Sequence, residues 1–388
     1  MSLRPNPPDQ LAVVMSGGGA RAAYQVGCLS ELARSFPEFE APILTGVSAG
    51  AINAVSLAAH TGEMTERVNK LCQFWRELTI DSVFKSTYGD MFRRVIYWGG
   101  RLIGGGHKLP MVERHGLVST APLWSHLREC FEMEGDTIPG IAANCDSGKL
   151  KALGVTASSY STGQTTTWIQ GRDVEEWVRG HRVSEKAEIG VSEVMASAAL
   201  PLLFPAVQVR GRWYGDGGIR LTAPLAPAIH LGATRILAVS TRFEPTPEEA
   251  ADRCYIDGYP PPAQVIGSLL NAVFLDQLDG DALRLERTNQ ILAMMPPDAD
   301  TSLRPIELCV LRPSTDLGVL ANQFEADMPR PFRFMTRGLG TRETRSNDML
   351  SMLMFQKDYV EALIELGIRD TAAREEELRQ ILAPATGG

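Results

Sequence analysis

Three short stretches of this chain carry residue types able to do acyl-transfer chemistry. They are Ser16-Gly17-Gly18-Gly19-Ala20-Arg21, Gly46-Val47-Ser48-Ala49-Gly50 and Gly215-Asp216-Gly217-Gly218. A serine in Gly-x-Ser-x-Gly, placed between a strand and a helix, projects its hydroxyl from the end of a sheet. Glycines at positions 46 and 50 let the flanks of so tight a turn approach their neighbours without side-chain clashes. The three glycines at 17–19 expose N–H groups beside a helix N-terminus, a place that favours negative charge. That charge is either a phosphate or the oxyanion of an acyl-transfer intermediate. Read literally, Gly17-x-Gly19-x-x-Ala22 also fits the dinucleotide-binding fingerprint. That fingerprint calls for an acid about 20 residues on, at the end of the next strand. Here the next strand ends in Gly46-Val47-Ser48, and Glu38 and Glu40 precede it, so the oxyanion reading is preferred.

A serine hydroxyl is a poor nucleophile until a base takes its proton. The familiar base is a histidine held by an acid, in the chain order Ser, Asp or Glu, then His. If Asp216 is that acid, only His230 lies downstream, on an expected helix leading into the next strand, where a structural role suits it better. His60, His107, His115, His126 and His181 have no motif around them. The Gly-x-Ser-x-Gly turn also comes early, after only two strands. Asp216 remains as the direct partner of Ser48, although Asp-Gly by itself marks turns of every kind.

The elements that must position these residues alternate between strand and helix. Leu11 to Met15 reads as a strand, and Ala20 to Phe36 as a helix with Tyr24, Cys28 and Leu32 at helical spacing. Ile43 to Val47 and then Ala49 to His60 repeat the pattern, which sets both turns at one edge of a parallel sheet, where α/β proteins bind ligands. Glu63 to Phe84 reads as one amphipathic helix. Leu150 to Ala157 and Thr165 to Gln170 read as a hairpin, Leu123 to Phe131 and Val191 to Ala199 as helices. Ala206 to Tyr214 reads as a strand pair that delivers Asp216, and Arg235 to Ser240 as a buried strand. Beyond Glu244, Ala263 to Leu292 and Met349 to Gly367 each read as one long helix, Ala373 to Ile381 as a charged helix, and Ile306 to Leu311 as a late strand completing the same sheet. No catalytic constellation is visible after residue 244.

With 388 residues, the chain can bury a large core. Its net charge of −8 argues against a nucleic-acid partner. No run of about 20 apolar residues marks a membrane span, and Met1 to Pro8 lacks the apolar core of a signal peptide. The six cysteines are scattered without Cys-x-x-Cys pairs or neighbouring histidines, which points to free thiols, no metal site and a cytoplasmic setting. Between Lys85 and Lys108, five Lys/Arg face a single acid, Asp90, with Phe92, Ile96, Tyr97, Trp98, Leu102 and Ile103 interleaved. Such a segment suits a membrane surface or a lid with glycine ends, or else an ordinary surface excursion.

Taken together, the blocks resemble the patatin-like phospholipase family. The resemblance rests on Gly17-Gly18-Gly19-Ala20-Arg21, Gly46-Val47-Ser48-Ala49-Gly50, the segment from Ala196-Ser197 to Pro201, and Asp216-Gly217-Gly218 with Pro224 after it. It spans residues 10–242, with weaker family texture to about 370. It implies a three-layer α/β/α sandwich with a mostly parallel central sheet, and hydrolysis of lipid acyl esters, phospholipids among them, through a Ser–Asp dyad without histidine, metal or cofactor. By resemblance, Ser48 is the nucleophile, Asp216 the base, and the amides of Gly17, Gly18 and Gly19 the oxyanion hole, with Arg21, Gly46, Gly50, Gly217 and Gly218 supporting the motifs. Ala22 stands where the family usually has glycine. An aspartate base near its ordinary pKa is weak, so Asp216 is expected to be buried and desolvated. The expected organisation is a loose leader at 1–9, a catalytic domain at 10–242 with a basic, aromatic insert near 85–115, a helical extension with the late strand at 243–383, and a disordered tail at 384–388. Two other classes stay open: a nucleotide- or phosphate-binding protein using Gly17 to Gly19, and a non-catalytic scaffold of the same fold.

Overall fold

A computed structural model of the chain describes residues 10–85, 116–246, 259–296, 303–329 and 346–383, with a few single positions between them. The leader, the tail and, apart from Lys85, the basic insert lie outside the described residues.

Ten strands form one sheet. They are β1 (Leu11–Met15), β2 (Ile43–Val47), β3 (Ala152–Ser159), β4 (Thr165–Gly171), β5 (Val178–Arg179), β6 (Arg182–Lys186), β7 (Val207–Val209), β8 (Arg212–Asp216), β9 (Arg235–Val239) and β10 (Glu307–Leu311). The main path runs β10-β9-β1-β2-β3-β4-β6-β5. The stretch from β10 to β3 is parallel throughout. β4 then turns back against β3. Apolar strands buried on both faces explain the pattern, because parallel sheets are covered on each side. Leu11, Val13 and Met15 of β1 enter one core, while Ala12 and Val14 enter the other.

The first core is covered by α1 (Ala23–Ser35), α2 (Ala49–Ala59), α3 (Met64–Glu77) and the helix Lys357–Ala372. The second is covered by the helices Ala226–His230 and Asp276–Met294. The architecture is therefore a three-layer α/β/α sandwich with a mostly parallel sheet, as the family resemblance implied.

Three expected helices are broken. The run from Glu63 to Phe84 stops at Glu77 and resumes as a short helix, Ile80–Val83, whose cap is the Thr79 hydroxyl accepting from the Ser82 amide. The run from Ala263 to Leu292 divides into Pro262–Phe274 and Asp276–Met294. The run from Met349 to Gly367 divides into Asp348–Leu353 and Lys357–Ala372, with extended backbone at Gln356. In each, both halves carry an apolar face, so the spacing of apolar residues does not register the break. The edge strand β5, its neighbour β6 and the helix Pro139–Ser147 have no counterpart in the elements expected from the sequence. β5 and β6 are short and charged, as sheet edges often are. Among the described residues, no helix is long and apolar enough to cross a membrane.

Candidate active site

Sheet register brings the two chemically able side chains together. β2 pairs with Ala152–Thr156 of β3, so that Val47 stands opposite Thr156. The next β3 residue, Ala157, pairs with Asp216 of β8. Because Ala157 also pairs with β4 on its other side, β8 occupies the β2 side and prolongs that position of the sheet. Ser48, one residue past the end of β2, and Asp216, the last residue of β8, thus meet end to end.

The Ser48 hydroxyl donates to Asp216 Oδ2 at 2.6 Å. The other carboxylate oxygen, Oδ1, accepts from the Gly218 amide at 2.9 Å. Asp216 is 1% exposed and Ser48 is 8% exposed. Burial pushes the Asp216 carboxyl from 3.8 up to about 7, against the lowering effect of its two hydrogen bonds. A carboxylate near neutrality is a far better base than an ordinary aspartate. Among the described residues, no histidine hydrogen-bonds either group. His230 stacks on Trp177, with ring centroids 4.7 Å apart, and His60 contacts Lys70 and Glu132.

Ser48 holds φ 56° and ψ −130°, a conformation rarely adopted by a residue with a side chain. Close packing fixes it. A Cβ on Gly50 would lie 2.4 Å from the Met15 carbonyl oxygen, and one on Gly46 would lie 2.4 Å from the Gly50 carbonyl oxygen. The Ser48 amide donates to Ser197 Oγ at 2.9 Å, and that hydroxyl donates to the Thr156 carbonyl at 2.6 Å. The amide is therefore committed to the protein and does not face a reacting group.

The first glycine turn lies alongside. A Cβ on Gly17 would stand 3.1 Å from Ser48 Cβ and 3.7 Å from its Oγ. Gly18 and Gly19 line, with Ser48, a pocket of about 50 Å³ that opens to solvent. Its other walls are apolar and include Ile52, Trp75, Leu123, Phe204, Phe274 and Phe355. The sequence reading assigned nothing to Phe274 and Phe355. Each stands beside a helix break, the signal that apolar spacing hides.

The sequence profile of the patatin-like phospholipase family matches residues 13–229, more than half of the chain. This chain belongs to the patatin-like phospholipase family. Three solved structures match this patatin-like chain with low identity. Human GIVD cytosolic phospholipase A2, in complex with methyl gamma-linolenyl fluorophosphonate, is 13% identical over 98% of this chain and 60% of its own, with a TM-score of 0.45. VipD from Legionella pneumophila is 14% identical over 92% of this chain and 67% of its own, with a TM-score of 0.36. ExoU from Pseudomonas aeruginosa, in complex with SpcU, is 17% identical over 86% of this chain and 60% of its own, with a TM-score of 0.27. This chain thus spans about three fifths of the length of the human phospholipase. No curated protein matches it significantly.

In this patatin-like chain, the Arg21 side chain reaches the C-terminal part. It is buried, its Nε donates to Ser351 Oγ at 2.6 Å, and its guanidinium pairs with Asp348 at 2.5 Å. A Cβ on Gly19 would collide with the Met352 carbonyl at 2.1 Å. Residues 348–355 therefore seat the glycine turn and close the cavity, a role not visible in the sequence, where no motif marks them. Gly217 packs so closely that a Cβ would lie 2.2 Å from the Thr156 carbonyl, and Gly218 lies under the ring of Phe274.

Proposed function

We propose that this protein hydrolyses carboxylic esters of lipids, with phospholipids or lysophospholipids as the substrate class, through Ser48 and Asp216. The observation that carries the reading is the 2.6 Å hydrogen bond from a strained serine to a fully buried carboxylate whose pKa lies near neutrality. Asp216 takes the hydroxyl proton as Ser48 Oγ attacks the ester carbonyl carbon. The charge that develops on the carbonyl oxygen is stabilised by the amides of Gly17, Gly18 and Gly19. None of these three N–H groups donates to a protein acceptor among the described residues. One such donor is worth about 3 to 4 kcal/mol of transition-state stabilisation. The tetrahedral intermediate collapses, the alcohol leaves with the proton held by Asp216, and an acyl-enzyme remains on Ser48. Water then gives a proton to Asp216 and attacks the acyl carbon, which releases the fatty acid and restores the serine. The apolar cavity holds the acyl chain, where burial of each methylene contributes about 0.8 kcal/mol. Peripheral contact with a lipid surface through residues 85–108 belongs to the same reading, on the strength of their basic and aromatic composition.

A fluorophosphonate probe tests the reading. Covalent label is expected on Ser48 in the intact chain, and none in Ser48→Ala. Ester hydrolysis is expected to fall by about 10³-fold or more in either Ser48→Ala or Asp216→Asn. Well-folded wild-type protein that takes no label and hydrolyses no ester returns the chain to the scaffold class.

A further inference from the structure

We infer that Thr241 and Gln25 are positioning residues that aim the glycine amides at Ser48, an inference resting on the ester-hydrolase reading above. A trans peptide group is planar, so the carbonyl of one residue and the N–H of the next point in opposite directions. Whatever holds the carbonyls of residues 16, 17 and 18 therefore decides where the amides of Gly17, Gly18 and Gly19 point. Each of these carbonyls has a donor. Gln25 Nε2 donates to the Ser16 carbonyl at 2.8 Å, Thr241 Oγ1 donates to the Gly17 carbonyl at 2.7 Å, and the Arg21 amide donates to the Gly18 carbonyl at 3.2 Å.

The third bond closes the turn itself. The first two come from side chains 9 and 224 residues away from the carbonyls they hold. Both side chains are fully buried. Thr241 stands two residues past the end of β9, at the same sheet edge as Ser48. Because the Gly17 carbonyl faces Thr241, the Gly18 N–H of the same peptide group is turned away from Thr241. Gln25 is held in turn by the Asn53 amide, which donates to Gln25 Oε1 at 2.9 Å. Asn53 Oδ1 accepts from Trp75 Nε1 at 2.7 Å, an indole that also walls the apolar cavity. Three adjacent glycines rotate their peptide groups freely when nothing restrains them. Donors stabilise a developing charge only if they are already aimed at it. These two side chains convert a flexible triglycine into fixed dipoles.

The test compares full-length variants by kcat and KM on p-nitrophenyl butyrate, by the rate of fluorophosphonate labelling, and by thermal melting. Thr241→Val keeps the shape and removes the donor. It is expected to lower kcat and the labelling rate about 10- to 100-fold, somewhat less than loss of an oxyanion donor itself. KM is expected to stay within about three-fold, as for an interaction made in the transition state. Thr241→Ser, which restores the hydroxyl, is expected within about three-fold of wild type. Gln25→Met provides an independent measurement with the same kcat-selective loss. Wild-type kcat in folded Thr241→Val or in Gln25→Met, or equal losses in Thr241→Ser and Thr241→Val, overturns the positioning role. Absence of label in the wild-type protein overturns the hydrolase reading instead, so the two failures are distinct.

Discussion

The two glycine turns meet at one sheet edge but are held in place by different means. In the first, the unusual backbone angles fall on glycines: φ is 144° at Gly18 and 59° at Gly19. Glycine adopts such angles without strain, and the turn depends on distant side chains, Gln25, Thr241 and the Arg21–Asp348 pair, to fix its direction. In the second, the unusual angle falls on Ser48 itself, with φ 56°. Backbone packing imposes it, because Gly46 and Gly50 press against neighbouring main chain. One turn carries its unusual angles on glycines and is braced by side chains as well as by the Met352 main chain against Gly19, whereas the other carries its unusual angle on Ser48 and is braced by sterics. The difference matches their proposed duties. Amides must be aimed as a set, whereas a nucleophile has to be held clear of the backbone at a single point.

The largest expected effect follows from exchanging alanine for glycine in each turn. Gly50→Ala places a methyl 2.4 Å from the Met15 carbonyl and 2.5 Å from the Ser16 carbonyl, neither of which can swing aside. A strain of well over about 3 kcal/mol is expected, enough to remove most of a typical domain's stability and yield little folded protein. Gly17→Ala has no positive φ to relieve, and its one tight contact is Ser48 Cβ at 3.1 Å, the next neighbours lying at an ordinary 3.7 Å. It is expected to fold within about 1 kcal/mol of wild type and to lose at least about ten-fold in activity. Soluble yield and chemical denaturation of the two variants decide this. Equal destabilisation in both would erase the distinction between the turns.

Asp216→Asn produces an effect nearly as large and of opposite sign. Its folded-state pKa of about 7 lies above the ordinary 3.8, so the folded protein disfavours the charged form. The resulting penalty is fully present above pH 7, fades as pH falls from 7 towards 4, and is absent below about 3.8. At 1.36 kcal/mol per pKa unit it amounts to about 4 kcal/mol. Asp216→Asn is therefore expected to be inactive but more stable than wild type at pH 8, with the gain shrinking at pH 5 and gone near pH 4. The same ionisation is expected to give wild-type activity a half-maximal point near pH 7, falling about ten-fold per pH unit below it. A melt series across pH checks the first expectation and a rate profile the second. A variant less stable than wild type at pH 8 would mean that the charge is well accommodated and the base is weak.

What the sequence makes legible divides along the same line. The strained turn is local: strand, Gly-x-Ser-x-Gly and helix lie within 17 consecutive residues, from Ile43 to Ala59, so the pattern shows itself. The meeting of Ser48 with Asp216 is legible only by elimination of the histidines and by family resemblance, because it depends on register across β3, and pairing partners are not written in either segment. The braces of the first turn are less legible still. Thr241 is one of two adjacent hydroxyl residues after a strand, with no motif around it, and Asp348 and Ser351 sit in a short helix that apolar spacing merges with the next one. Phe274 and Phe355 stand beside breaks for the same reason. That both turns share one edge of a parallel sheet follows from alternating strand and helix patterns, which repeat over many residues and survive errors at any one, while the three layers are implied by the family resemblance.

The smallest expected effect isolates the strain. Ser48→Ala and Ser48→Gly both delete the hydroxyl and leave Asp216 Oδ2 without its donor, so both are expected to be inactive. They differ in backbone alone. Alanine retains a side chain at φ 56° and ψ −130°, an arrangement that costs about 1 to 3 kcal/mol. Glycine relieves it and gives back about 0.5 to 1 kcal/mol through the greater freedom of its unfolded chain. Ser48→Gly is therefore expected to exceed Ser48→Ala in stability by about 1 kcal/mol. At an ordinary helical position the exchange runs the other way, and Ala51→Gly is expected to be less stable than the wild type. Urea denaturation of these three variants and the wild type at a single pH separates the cases. If Ser48→Ala proves as stable as Ser48→Gly, the second turn stores no strain, and the serine is held there by its hydrogen bonds, as the first turn is.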